Sequence, residues 1–382
     1  MKKLLLLFCC AFSILSLLAQ DLPSGFYRVK NKGEGRYLYV TDNTGTATAS
    51  TQDLRAVQAN LPSDRILVDP ACVMYARHYS GVTYDVESQG TSVYGIIKKY
   101  PEIRYEERAK AYRVGAKIEG TQFYLGCNND PDDEIGFITT KDASGDKALW
   151  LVEAINEDDD KNYFGIQPTI EINGKYYQPF YAEFAFSFYS KGMKAYYISE
   201  TNGKEAKIME VKSEIIPAQT PVIIECSSKN PSDNRLKLFA EGGTPISDNI
   251  LKGNFFCNGL RHNSATTKFD SKTMRVLGVT ENGTLGFVSA SSDFIVKAKY
   301  KGTANVDCLK ANIAYLKVDA SAATVIEAKN ESEYSSIEII SQDKEQVKGV
   351  YSILGVKLSD TTDMSDLPAG IYIVDGKKIV KR

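Results

Sequence analysis

The strongest constraint on this chain is a plan that recurs between Gly25 and Ile155. Each time, an alternating apolar strand reaches a glycine turn and returns on aromatic residues. Residues 26–40 are FYRVKNKGEGRYLYV, 73–86 are VMYARHYSGVTYDV, and 111–127 are AYRVGAKIEGTQFYLGC, with Gly35, Gly81 and Gly120 at the turns. Side chains alternate across a strand, so each unit carries one apolar face. One such unit cannot bury that face alone. Three of them must share a core, which is the arithmetic of a β-trefoil. Residues 20–160 are therefore expected to form a β-trefoil-like domain.

The remainder points the same way, to an all-β chain. Its 382 residues include 23 Tyr and 16 Phe, and long helical periodicity is scarce. Two stretches have helical features. In 50–61, Leu54, Val57 and Leu61 follow possible caps at Ser50 or Thr51. The stretch 94–112 is ambiguous, because Pro101 would interrupt one helix. Residues 161–320 alternate between apolar strands and turns, which predicts a β-sandwich-like domain. There Asn173-Gly174 is a hairpin signal, and Phe184, Phe186 and Phe188 line one face as expected core. EIIPAQTPVIIEC (214–226) and VDCLKANIAYLKV (306–318) share an apolar pair, a kink at Ala and an apolar strand. Residues 321–336 lose aromatics and gain Ala, Ser and Glu, which predicts a linker. Residues 337–382 form a small C-terminal β module, with Asp375-Gly376 suited to a type I′ turn.

Lys2 and Lys3 precede an apolar run from Leu4 to Leu18 that is shorter than a membrane span. Ala19 follows, so residues 1–19 are expected to be a signal peptide. No second run of that kind occurs, and no transmembrane anchor is expected. The 46 basic and 48 acidic side chains nearly balance, which argues against nucleic acid as a partner. Cys72, Cys127, Cys226, Cys257 and Cys308 are widely spaced without a CxxC pair. Buried free thiols are expected rather than a disulfide framework or a zinc site. NEDDDKN (156–162) and NNDPDDE (128–134) lack calcium-loop spacing and are expected to be acidic surface turns. No cofactor and no metal is predicted.

Two resemblances add to this. GFYRVKNKGEGRYLYV resembles the opening of ricin-B-type lectin repeats, and TYDV (83–86) is similar to their Tyr-Leu-Asp-Val element. In that family the aspartate accepts hydrogen bonds from sugar hydroxyls and a nearby aromatic stacks on the sugar. The resemblance thus implies a glycan site with Asp85 as acceptor and Tyr84 and Tyr124 as partly exposed aromatics beside a concave pocket. Tyr39 and Gly126 stand at the aspartate position of the other units. The family's Gln-x-Trp signature is Ala148-Leu149-Trp150 here, which keeps the core tryptophan.

The tail, residues 350–382, resembles the C-terminal sorting domain of proteins exported by the type IX (Por) secretion system. Gly370, Tyr372, Val374, Gly376 and Lys378 carry the motif, with Val350, Tyr351, Gly355, Leu367 and Pro368. This implies secretion machinery as a partner and release, or attachment, at the outer surface of a Gram-negative bacterium.

The chain has two histidines, His78 and His262, and no HExxH, GxSxG or Walker-type loop. A secreted or cell-surface, non-enzymatic, glycan-binding protein is the expectation. Two alternatives stay open. One is a structural or adhesive surface protein. The other is a secreted glycoside hydrolase whose carboxylate pair the sequence does not display.

Overall fold

The computed structural model describes residues 21–40, 56–59, 66–89, 91–92, 101–118, 120–127, 136–139, 145–256, 267–299, 305–334, 349–353, 355–374 and 377–381. The expected signal peptide, the acidic segment 128–134, Cys257, His262 and the Asp375-Gly376 turn lie outside them. The chain is all-β, with strands throughout and 3-10 turns at Pro70–Cys72, Asp146–Ala148 and Pro231–Asp233. It divides into two compact units, one ending at Tyr334 and one comprising Ser335–Arg382.

In the first unit, six strands pair in a cycle. Gly25–Asn31 pairs with Met74–Ser80, which pairs with Thr83–Ser88. Thr83 then meets Glu102 of the strand Glu102–Glu106, which pairs with Ala111–Ile118. Trp150–Ala154 closes the ring by pairing with both Ala111–Ile118 and Gly25–Asn31. Tyr37–Val40 and Thr121–Gly126 pair onto ring strands from outside the cycle. Alternation fills the ring with Tyr27, Met74, Ala76, Tyr84, Val114 and Trp150. Trp150 is fully buried, and its Nε1 donates to the Leu125 carbonyl at 3.0 Å. Gly35, Gly81 and Gly120 all have positive φ, a conformation that glycine adopts without a Cβ penalty.

The three sequence units are not equivalent in this ring. The first and third join a ring strand to an outside strand. The hairpin at Gly81 joins two ring strands. One element also departs from the helical expectation: residues 56–59 are a strand on Tyr37–Val40. The rest of 50–61 lies outside the described residues.

A ten-stranded sheet dominates residues 161–334. Its strand Val222–Cys226 is buried on both faces over Val222-Ile223-Ile224, which form a continuous apolar run rather than an alternation. Val222, Ile224 and Cys226 face one core, shared with Phe164, Phe180, Phe184 and Phe186. Ile223 faces another, shared with Ile198, Leu277, Phe287 and Ile326. Phe184 and Phe186 are core, as expected. At Asn173-Gly174, φ values of 51° and 75° make the predicted tight hairpin between Ile170–Ile172 and Lys175–Phe180.

The ring and this second region share cores instead of meeting through a linker. Val73 belongs to the Phe184 core, Phe26 and Ile155 pack against that core, and Phe256 enters the ring core. Arg28 fastens them further. Its buried guanidinium donates from Nε to the Ile66 carbonyl at 2.8 Å, from Nη2 to the Tyr163 carbonyl at 2.9 Å and from Nη1 to Asn162. Burial holds its pKa down to about 10. The acidic segment 156–162 is likewise engaged. Glu157 pairs with Lys237, Asp160 with Arg235, and Asp158 accepts from Tyr189.

The predicted linker 321–336 is a second correction. Val325–Lys329 is an interior strand of the ten-stranded sheet, parallel to Glu205–Glu210 and antiparallel to Leu285–Val288. Its Ile326 is fully buried. Small and polar neighbours hide a strand whose partners are distant in sequence.

The second unit is a four-stranded sheet in the order Lys357–Ser359, Val350–Ser352, Gly370–Val374, Lys377–Lys381. One face buries Val350, Tyr372 and Val374 against Met364 and Leu367.

Candidate functional site

A small open cleft, with about 40 Å³ of enclosed room, lies where the ring meets the second region. Its lining includes Phe26, Tyr75, Arg77 and Glu87 on one side and Glu183 and Phe184 on the other. The first wall follows from strand register. Phe26 pairs with Tyr75, Tyr75 with Glu87, and Arg77 with Asp85. Directly opposed residues share a face, so these five project from the outer face while Met74, Ala76 and Tyr84 turn into the core. The Phe26 and Tyr75 rings are 5.0 Å apart, and Phe26 meets Phe184 edge-on at 5.9 Å. The Arg77 guanidinium stands 5.7 Å from the Tyr75 ring centre.

The opposite wall is held by two kinks. Both lie where the shared 214–226 and 306–318 pattern bends, one residue past its Ala, at Gln219 (φ 57°) and Asn312 (φ 56°). The Gln219 N–H donates to the Ala182 carbonyl, and its Nε2 donates to Glu183 Oε2 at 2.9 Å. Asn312 accepts from the Tyr181 N–H and donates to the Tyr181 carbonyl at 3.1 Å. The backbone that presents Glu183 and Phe184 is thus gripped from both kinks. At the back of the cleft, Gln89 and Asn312 exchange two amide hydrogen bonds of 2.8 Å. Ser88 donates to the Val73 carbonyl at 2.7 Å.

The residues expected to hold a glycan part company here. Tyr84 is fully buried and its hydroxyl accepts from the Leu22 N–H at 2.9 Å. It is a core residue, because even-numbered positions of Thr83–Ser88 turn inward at that point. Tyr124 is half-buried on a different strand, with the Arg113 guanidinium 5.1 Å from its ring centre; it does not line the cleft. Asp85 is half-buried and stands on the same face as Tyr75, Arg77 and Glu87. Its equivalence to Tyr39 and Gly126 fails, since those lie on outside strands and Asp85 on a ring strand. Sequence reasoning missed Phe26, Tyr75, Glu87 and Glu183. The advance signal for Tyr75 and Glu87 was the register of the hairpin around Gly81; Phe26 and Glu183 lie outside that hairpin.

In the second unit, Gly370, Tyr372 and Val374 lie on one strand and Lys378 is exposed on the next; Gly376 is outside the described residues. Tyr372 donates its hydroxyl to the Pro368 carbonyl at 2.7 Å. Tyr27 does the same to Pro23 at 2.6 Å. The sequences are Leu-Pro-Ala-Gly-Ile-Tyr-Ile-Val (367–374) and Leu-Pro-Ser-Gly-Phe-Tyr-Arg-Val (22–29). In both, the tyrosine bends back over the glycine: a Cβ there would stand 3.3 Å from the hydroxyl at Gly370 and 3.4 Å at Gly25. Part of the tail motif is therefore also a local device for starting a strand.

The four described cysteines are free and buried. Burial pushes the Cys127 and Cys226 thiols up to about 12, away from nucleophilic reactivity. Among the described residues no group of His, Cys, Asp or Glu is arranged to hold a metal ion, and no helix is long and apolar enough to cross a membrane. Neither family models nor curated proteins give a match to this chain.

Proposed function

We propose that this is a secreted or cell-surface, non-enzymatic glycan-binding protein whose ligand occupies the cleft between Tyr75 and Glu183. The observation that carries the reading is the joint presentation of Phe26 and Tyr75 with Arg77, Asp85 and Glu87 by strand register, opposite Glu183. Aromatic faces cover the apolar side of a sugar ring, while carboxylates and a guanidinium satisfy its hydroxyls in fixed directions. The cyclic six-strand pairing supports a trefoil-type frame for this site, with Asp85 beside the cleft rather than at a family lectin position.

A glycan array tests it. Retention by the wild type, weakened by Tyr75→Ala and by Asp85→Ala in protein of unchanged unfolding midpoint, is the expected result. Absence of retention across the array defeats the reading. New reducing ends appearing on a bound glycan would overturn its non-enzymatic part.

The second unit serves, in this reading, as the address for export through the type IX route. Besides the motif, exposed Ile353, Val356, Leu358, Ile371 and Val380 support recognition by another body. Mass spectrometry of the protein from cells and medium tests this. Retention of the full-length chain inside the cell envelope would refute it.

A further inference from the structure

Resting on the glycan reading, we propose that the cleft selects a cationic glycan, an oligosaccharide of amino sugars with free ammonium groups. The charged residues of the lining are Arg77, Glu87 and Glu183, and no lysine joins them. Asp85 adds a third carboxylate on the face of Arg77, directly across the strand pair. The one guanidinium thus has an acid of its own face opposite it, while glutamates stand on both walls. Gln219 donates an amide hydrogen to Glu183, which fixes that carboxylate's direction and leaves its charge.

A ligand bearing carboxylates or sulfates would bring like charge into this cleft, and like-charge juxtaposition is costly at an interface. A neutral sugar satisfies the acceptors by hydroxyls alone. An ammonium supplies three donors and the complementary charge. The Arg77 guanidinium already stands over the Tyr75 ring, so the carboxylates and not the rings select the ammonium. The frame that holds them is rigid, because Gln89, Asn312 and Gln219 hold the loops behind both walls.

Calorimetric titration of the full chain with three oligosaccharides of equal length tests the proposal: β-1,4-linked glucosamine, its N-acetylated form, and a galacturonate oligomer. Glucosamine should bind at least about tenfold more tightly than the N-acetylated form, with the galacturonate weakest. The advantage should shrink as salt rises from about 50 to 500 mM. Glu183→Gln and Glu87→Gln should each lower the ratio between the first two ligands, and two separate variants guard against one misfolding. Equal or tighter binding of the N-acetylated or acidic oligomer overturns the charge selection while leaving the glycan reading intact. Failure of all three together with an unresponsive glycan array defeats both. Preferential binding of an oligolysine peptide would replace the glycan by a basic peptide and overturn the proposal.

Discussion

At the scale of single residues, two arrangements carry measurable consequences. Tyr27 spends its hydroxyl on the Pro23 carbonyl. Tyr27→Phe keeps the ring in the core and deletes that bond, so stability should fall by about 1 kcal/mol in urea unfolding. A null effect would show that the ring alone sets the strand entry. The reciprocal amide pair of Gln89 and Asn312 is the second. Both residues have left-handed backbone, φ 53° and 56°, so glycine replacements preserve the turns. Either Gln89→Gly or Asn312→Gly strips the remaining buried amide of its two reciprocal bonds, at a cost of about 1–3 kcal/mol. A double-mutant cycle should give a coupling near the upper part of 0.5–3 kcal/mol, and additive losses would refute the pair as a unit. Asn312 was visible in sequence only as the residue after a kink. That it grips Gln89 could not be seen, because the partner lies more than two hundred residues away.

Among elements, the divide between what was legible and what was not follows the range of the interactions. The hairpin at Asn173-Gly174, the three glycine turns and the alternating Phe184, Phe186 and Phe188 are local signals, and each is found where the sequence places it. The strand Val325–Lys329 is the counter-example. Its composition suggests a linker, yet it is sandwiched between strands from two earlier parts of the chain. Ile326→Ala should therefore cost about 2–5 kcal/mol, the range for emptying a packed core site. A loss below about 1 kcal/mol, measured by denaturant midpoint, would mean the strand is peripheral after all. The cleft was illegible for the same reason. Phe26, Tyr75 and Glu87 become neighbours only through register, and Glu183 arrives from a separate sheet region. The ricin-B-type pattern pointed at Asp85, which stands on the outer face of its hairpin opposite Arg77, and it carried along Tyr84, whose side chain points the other way.

For the whole molecule, burial of protonated groups sets an upper pH limit. Cys127 and Cys226 are raised from 9.0 to about 12, and Tyr27 and Tyr177 from 10.0 to about 12, all chiefly by burial. Between the unfolded and folded values the native state binds more protons, so stability falls as pH rises. Arg28, lowered from 12.5 to about 10, works in the opposite direction over the top of that range. The four neutral acids outnumber it, so the unfolding midpoint should fall steadily from pH 9 toward 12. A flat profile by circular dichroism would contradict the burial of these groups. The shared cores of the first unit also imply that the two halves around the cleft melt together, and ligand in excess should raise that single transition by mass action.

The repeated strand opening has a practical bearing on detection. An antiserum raised against the linear peptide of residues 367–374 has a partial match at 22–29, where Leu, Pro, Gly, Tyr and Val recur in step. In the folded chain Tyr27 and Tyr372 are both buried, so native conditions do not separate the two epitopes. On a denaturing blot both are open. A fragment that has lost its tail would then still stain, and tail removal is read more safely from mass than from loss of this signal.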